Sequence, residues 1–510
     1  MSADALPGLV AVVLVTAVTL AIGTWGLRFS RTTSDFFVAS RTVDPRLNAS
    51  AIGGEYLSAA SFLGIAGLLL VDGARMLWYP VGWTAGYLVL LVLVAAPLRR
   101  SGAYTLPDFA EARLASRAVR TTCSVLVVGV GWLYLLPQFE GAGITLEAAI
   151  GAPEWAGPVI VGAVVLVNVV SGGMRSITFV QAFQYWLKLT ALLVPAMVLL
   201  AVWFGDGTPG ATGTSSDGWS VPFHTDGGIG MYTTYSLIAG IFLGTMGLPH
   251  VVVRFYTNPD GRAARRTTLA VLALLGVFYI WPPVYAGLGR IYGGQLIEDG
   301  RSNVLVLELP RLMLSGFGAE VLTGLVTAGA FAAFLSTASG LAIAVSGVLT
   351  QDVTSRLRER TGGSSRSAIG DFRVAAVIAV TIPVAVSLVV SDIGVAHTVG
   401  LAFAVAASTF CPLLLLGIWW HGLTAPGAIW GLVVGGLSSG TAAVLDLSGA
   451  DPGGWPGAFM SYPAAWSIPL AFTVMILASL ATRGARPLHA RRFLVSLHTP
   501  EGLDAERAPQ

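Results

Sequence analysis

Three residues of one apolar stretch, "AGAFAAFLSTASGLAIAVSG", carry oxygen at helical spacing. Ala333, Ser336 and Thr337 stand at i, i+3 and i+4 and share one helical face. Two hydroxyls and a neighbouring carbonyl make an oxygen-only patch, and hard cations take oxygen ligands. A second apolar stretch, "GGEYLSAASFLGIAG", puts Gly53-Gly54 and Glu55 inside what reads as a membrane helix. Glycine is a poor helix former. A helix interrupted in mid-membrane frees carbonyls that only a cavity or an ion satisfies. Carbonyls released at Gly54 and Leu57 would complete a five-oxygen cage with Ala333, Ser336 and Thr337. Without a carboxylate, such a cage holds a monovalent cation weakly enough to release it. The competing reading gives the Ser-Thr pair no ligand role, because such hydroxyls commonly bond their own backbone four residues back.

These residues need long apolar helices to position them, and the composition supplies them. Of 510 residues, 55% are hydrophobic and 11% charged, against about 25% charged in a soluble domain. Apolar windows near residues 6–28, 47–70, 76–98, 122–149, 155–173, 177–204, 232–253, 268–289, 318–350, 374–391, 395–419, 427–447 and 462–482 predict about thirteen transmembrane helices in an all-α polytopic protein. Twenty-four arginines fall in the segments on one side of this arrangement and four on the other. Excess basic residues mark the cytoplasmic side, which puts the N-terminus outside and the C-terminus inside. Cys123 and Cys411 are too few for a disulfide framework or a zinc site.

The seventh span is interrupted as well, at Gly247-Leu248-Pro249-His250. The two broken spans lie five spans apart, so a five-helix unit returns with inverted topology. Spans 2–6 and 7–11 then pair as inverted repeats, each opening on a discontinuous helix, the pattern of a secondary-transporter site. The chain divides into an extra helix with its cytoplasmic loop (1–45), a first repeat (46–204), an extracellular loop (205–231), a second repeat (232–419), two further helices (420–482) and a cytoplasmic tail (483–510).

Other ionisable and amide groups inside spans need protein or water around them. Glu55 reads either as a cation attractor or as a carboxylate at the start of the second half-helix. Gln138 is a substrate contact or an interhelical bond. His250 bonds a substrate, relays a proton or sits satisfied in the core. Lys188, the single lysine, snorkels, pairs with a carboxylate or meets a substrate anion.

Taken together these stretches resemble the solute:sodium symporter family. "ASAIGGEYLSAASFLGIAG" resembles its first core helix, "SGGMRSITFVQAFQYWLK" the start of its fifth and "FAAFLSTASGLAIAVSGVLTQD" its eighth. "GLPHVVVRFYTNPDGRAARRT", "VGLAFAVAASTFCPLLLL" and "YTLPDFAEARL" look like the cation/acetate branch. The resemblance implies a leucine-transporter-type core of ten helices with three extra. It also implies sodium-coupled uptake of a small monocarboxylate such as acetate across the plasma membrane. It assigns the sodium site to the carbonyls of Gly54, Leu57 and Ala333 and the hydroxyls of Ser336 and Thr337. The substrate region falls near Ser58 and Ser61 and their neighbours, with Gln138, Gly244, Thr245 and His250 as candidate contacts. One departure is Gln181, where related branches carry an aspartate. It leaves proton coupling open beside sodium.

An enzyme reading fails at its motifs. "GLSSG" at residues 436–440 matches G-x-S-x-G but lies in an apolar span, outside the strand-turn-helix setting that motif needs. Lys188 precedes Leu189, so no Walker A lysine exists. A channel would need a filter segment, and a sensor an appended domain. The expected partners are a small carboxylate and the bilayer, with no nucleic acid and no obligate protein partner.

Overall fold

Lipid offers a backbone no hydrogen bonds, so each apolar window must close its own, and helices carry almost the whole chain. The computed structural model describes residues 6–26, 39–211, 218–223, 227–354, 368–390, 394–450 and 452–501. Arg28 and Arg31, the arginines at 356–366, part of the expected exterior loop and residues 502–510 of the tail lie outside them. No strand occurs among the described residues.

The long helices are α1 (Leu6–Gly26), the pieces α2 (Pro45–Tyr56) and α3 (Ile65–Asp72), α4 (Trp78–Val89), α5 (Arg117–Ile150) and α6 (Ala156–Gly205). They continue as α7 (Gly227–Gly247), the short α8 (Pro249–Phe255), α9 (Gly261–Tyr279), α10 (Phe317–Leu349), α11 (Ala368–Ser387), α12 (Val395–Trp419), α13 (Ala425–Leu447) and α14 (Ala464–Ala481). Among the described residues, eleven stretches are long and apolar enough to cross a membrane. Two of them each hold parts of two predicted spans. The stretch Ala60–Arg100 turns at Gly73, where φ is +75°. The helix α6 changes course at Gly173, where φ is 56° and ψ is −161°. Every one of the thirteen predicted spans thus finds a helix.

Helix starts follow local chemistry. Asp44 accepts from the amides of Arg46 (2.9 Å) and Leu47 (3.4 Å) at the head of α2, with Pro45 in the first turn. Asp260 does the same for α9 through Ala263 N–H, at 2.6 Å.

The packing repeats with the chain. In the first repeat the opening half-helix α2 lies against the second half of α6. In the second repeat the opening half-helix α7 lies against α12. The same small residue makes both contacts possible. A Cβ on Gly54 would stand 2.1 Å from the Gln181 carbonyl oxygen, and one on Gly244 would stand 2.4 Å from that of Phe403. Two helices form the hub. In α10, 94% of the apolar window is buried, and in α12, 89%, against 28% in α1. Ala, Gly, Ser and Thr fill α10, and small side chains let helix axes approach where lipid provides no hydrophobic drive.

One expectation about the first break is corrected. Gly53 and Gly54 remain helical, and the chain breaks four residues later, at Leu57 and Ser58. The glycine pair serves the contact with α6 instead, Gly53 against the Tyr185 ring and Gly54 against the Gln181 backbone. The second break falls where expected, with Leu248 extended (φ −72°, ψ 119°) and Pro249 opening α8.

Candidate functional site

The first break leaves backbone groups that the helix no longer pairs, and side chains from three helices take them up. Leu57 N–H still reaches Gly53 O, at 3.1 Å. Ala59 N–H donates to Gln138 Oε1 of α5 at 3.0 Å. Thr337 of α10 donates its hydroxyl to Glu55 O at 2.6 Å. The carbonyls of Gly54 and Leu57 both accept from one donor, the Lys188 ammonium of α6, with Leu57 at 2.7 Å. The third acceptor on Lys188 Nζ is Ser336 Oγ of α10, at 2.8 Å.

Three of the five oxygens expected to surround a cation converge, and a lysine nitrogen stands at their centre. Gly54, Leu57 and Ser336 bond it directly. The Ala333 carbonyl accepts the Ser336 hydroxyl proton at 3.0 Å. Thr337 is one step removed, on Glu55 O. A lysine that snorkels to water or pairs with a carboxylate is not what the structure shows: Lys188 is fully buried and its three bonds go to neutral oxygens. The donor chemistry of the cage suits a monovalent cation, but its geometry as it stands is filled by the side chain.

A charged cluster lies beside the cage. Glu55 is 2% exposed and pairs with Arg254 of α8, 1% exposed, at 2.5 Å from Nε. Arg254 also donates to Thr178 Oγ1 at 2.9 Å and to the Gln181 amide oxygen. Gln181 in turn donates to Ser336 O at 2.8 Å. Neither reading of Glu55 had named Arg254. This carboxylate is a buried ion-pair partner that ties the end of the second broken helix to the first.

On the other side of the break is an aromatic chamber filled by its own buried rings. Phe403 of α12 stands between Tyr56 (ring centroids 6.3 Å), Trp83 of α4 (5.8 Å) and Tyr134 of α5 (5.9 Å). Tyr87 packs edge-on to Tyr56 at 4.8 Å, and His250 lies 5.3 Å from Tyr134. Several polar atoms here are buried without a hydrogen bond: Trp83 Nε1, Tyr87 Oη and both ring nitrogens of His250. The Ser58 hydroxyl faces that of Tyr134. Buried polar groups are seldom left unpaired, which makes this cluster the candidate position for a polar ligand.

Of the residues expected near a substrate, His250 thus has open valence, and Ser58 faces Tyr134. Ser61 bonds Tyr279 Oη at 2.9 Å, Thr245 bonds Tyr56 Oη at 2.9 Å, and Gln138 is spent on the break and on Tyr134 O at 3.3 Å. Gly244 abuts the Phe403 backbone. Sequence reasoning missed Lys188 as a cage member, Arg254, and the chamber walls Trp83, Tyr87 and Phe403. For Lys188 a signal existed. Thr178, Gln181 and Lys188 lie at i, i+3 and i+10, one polar stripe down the face that meets Gly54.

Residues 36–435 match the sodium:solute symporter family. An uncharacterized symporter of Bacillus subtilis (strain 168), YwcA, is 30% identical over 481 residues, spanning 90% of this chain and 91% of that one. Among solved structures, a Na+-coupled sialic acid symporter in its substrate-bound outward-open state covers 94% of this chain and 98% of its own, at 16% identity and a TM-score of 0.71. A manganese transporter of Eremococcus coleocola covers 91% of this chain and 97% of its own, at 13% identity and a TM-score of 0.52. Identities this low speak for the shared fold alone.

Proposed function

The chain belongs to the sodium:solute symporter family, and from that premise we propose that it is a secondary active transporter that carries a small monocarboxylate such as acetate into the cell together with a cation. The observation that carries the reading is the convergence of freed carbonyls and a serine hydroxyl at the Leu57–Ser58 break, directly beside a chamber of unpaired donors. A break of this kind is costly in lipid, and the arrangement returns that cost as a cation cage next to an anion site. The indole N–H of Trp83 and the hydroxyls of Ser58 and Tyr87 are donors suited to a carboxylate, and the rings of Tyr56, Tyr134 and Phe403 suit a short apolar tail.

Membership in this family and the sodium coupling named for the sialic acid symporter favour sodium as the ion; the family resemblance assigns it the oxygens of Gly54, Leu57, Ala333, Ser336 and Thr337, three of which hold Lys188 Nζ in this structure. A second reading, uptake driven by a proton gradient, is favoured by one observation: the cage is already satisfied without sodium. The arginine bias places the N-terminus outside and the C-terminus in the cytoplasm, so that the Glu55–Arg254 pair lies on the inner side of the break. One cation with one monocarboxylate moves no net charge, and the membrane potential then contributes nothing to uptake.

Radiolabelled acetate uptake into proteoliposomes, with sodium and proton gradients imposed separately, tests the reading. Uptake is expected with one of the two gradients and is competed by other short carboxylates more than by proline. No uptake with either gradient, or equal competition by proline, rejects the monocarboxylate assignment.

A further inference from the structure

The hydrogen bonds of the cage determine the charge of the lysine that fills it. Lys188 Nζ meets three acceptors, the carbonyls of Gly54 and Leu57 and the hydroxyl oxygen of Ser336. A neutral amine has two N–H donors, and its third contact would have to be a donor pointing at the nitrogen. Ser336 has one hydroxyl proton, and it goes to the Ala333 carbonyl. Its oxygen therefore accepts from lysine. Three acceptors match the three N–H groups of an ammonium. The charged group that acts on it is Glu55, held by Arg254. From its own helix, Tyr185 lies one turn away with its hydroxyl on Leu274 O, at 2.9 Å.

We propose that Lys188 is a covalently tethered replacement for the cage cation, so that sodium is excluded from the Gly54–Leu57–Ser336 oxygens while the side chain lies there and binds them once it is removed. This deepens the functional reading above and rests on its assignment of the cage. Two monovalent cations cannot share one set of neutral oxygens, because at contact in a buried site their repulsion exceeds what those dipoles return. The tethered ion also needs no capture from solution: its side chain is anchored on α6 and fully buried. Sodium dependence at this cage is therefore lost in the natural chain, and any sodium requirement arises at oxygens other than these.

The test is binding, read apart from transport. The full-length protein in detergent is melted by intrinsic tryptophan fluorescence in sodium chloride and in choline chloride at equal ionic strength. The wild type is expected to melt at the same temperature in both. Lys188→Met, which keeps the length and removes the charge, is expected to melt several degrees higher in sodium than in choline, and Lys188→Met/Ser336→Ala to lose that difference. A folded Lys188→Met protein indifferent to sodium overturns the proposal. So does a sodium-specific upshift of the wild type that Ser336→Ala abolishes. A wild-type upshift that Ser336→Ala leaves intact supports it, since sodium then binds elsewhere. If Lys188→Met does not fold, the comparison of wild type with Ser336→Ala decides alone. A protein that transports no acetate yet behaves as expected here loses the substrate reading and keeps this one.

Discussion

The two broken helices solve the same problem in opposite ways. At Leu57–Ser58 the backbone is left needy, and four side chains serve it: Gln138, Thr337, Lys188 and, through Lys188, Ser336. At Leu248 the break largely serves itself. Pro249 has no N–H to satisfy, and Val252 N–H closes the first turn on Leu248 O at 3.0 Å. The needy break gathers a positive charge onto carbonyls. The self-contained one spends its freedom on side chains, bringing Arg254 to Glu55 and leaving His250 bare in the chamber. A break draws side-chain donors onto its carbonyls when these lack amide partners, and being interrupted is not sufficient.

The sharpest way to break this contrast is to cut the bond between the two halves. Arg254→Ala strands Glu55 as an unpaired buried carboxylate, which costs about 3–5 kcal/mol. The expected result is a large fall in folded yield and melting temperature, with much of it recovered in Arg254→Met/Glu55→Met, where both charges are gone. A double variant no better than the single one would show that the pair is not the joint between the breaks. Next in size is Gly54→Ala. Its Cβ would stand 2.1 Å from Gln181 O, backbone that cannot swing aside, so overpacking of about 1–3 kcal/mol follows. Gly247→Ala at the other break, 2.4 Å from Ala406 O, should cost a similar amount of stability. Only the Gly54 change should alter the sodium response of a Lys188→Met background. Equal effects at both would erase the distinction drawn here.

The fold was legible because lipid leaves a chain few options: apolar windows, arginine segments and two interruptions five spans apart lead to a repeat that the packing of α2 on α6 and α7 on α12 reproduces. That Ser336 meets the Gly54 and Leu57 carbonyls was legible because the Ala333-Ser336-Thr337 face is local and helical; Thr337 goes instead to Glu55 O. The centre of the cage was not legible. Whether Lys188 reaches those oxygens depends on how α6 rotates against α2, and that rotation is set by the Gly54–Gln181 contact, a tertiary fact. The Gly53-Gly54 pair misled for the same reason. Its low helix propensity suggested the break, while tertiary packing used the missing Cβ and broke the helix one turn later.

A smaller effect isolates one strut of the needy break. Thr337→Val keeps the volume and removes the hydroxyl that serves Glu55 O. An unsatisfied buried carbonyl costs about 1–3 kcal/mol, so the melting temperature should drop by several degrees, whereas Thr409→Val in α12, whose hydroxyl bonds the Val405 and Ala406 carbonyls of its own helix, should drop it less. In a Lys188→Met background Thr337→Val should also raise the sodium concentration for half-maximal stabilisation. Equal losses at positions 337 and 409 would mean the Leu57–Ser58 break does not depend on its serving side chains.

The smallest expected change in stability, and the most informative about transport, is His250→Phe. Both ring nitrogens are buried without a partner, so replacing the imidazole by an apolar ring removes no hydrogen bond and should leave the melting temperature unchanged or slightly raised. Transport should respond in the other direction. If the chamber receives a carboxylate, removing a polar ring from its wall raises the acetate concentration for half-maximal uptake by roughly tenfold, the loss of about 1.4 kcal/mol of binding. The two readouts must separate. A protein that is markedly less stable and unchanged in half-maximal concentration would show that His250 is a structural residue of α8, and that the self-contained break contributes a brace to the neighbouring cage and nothing to the solute.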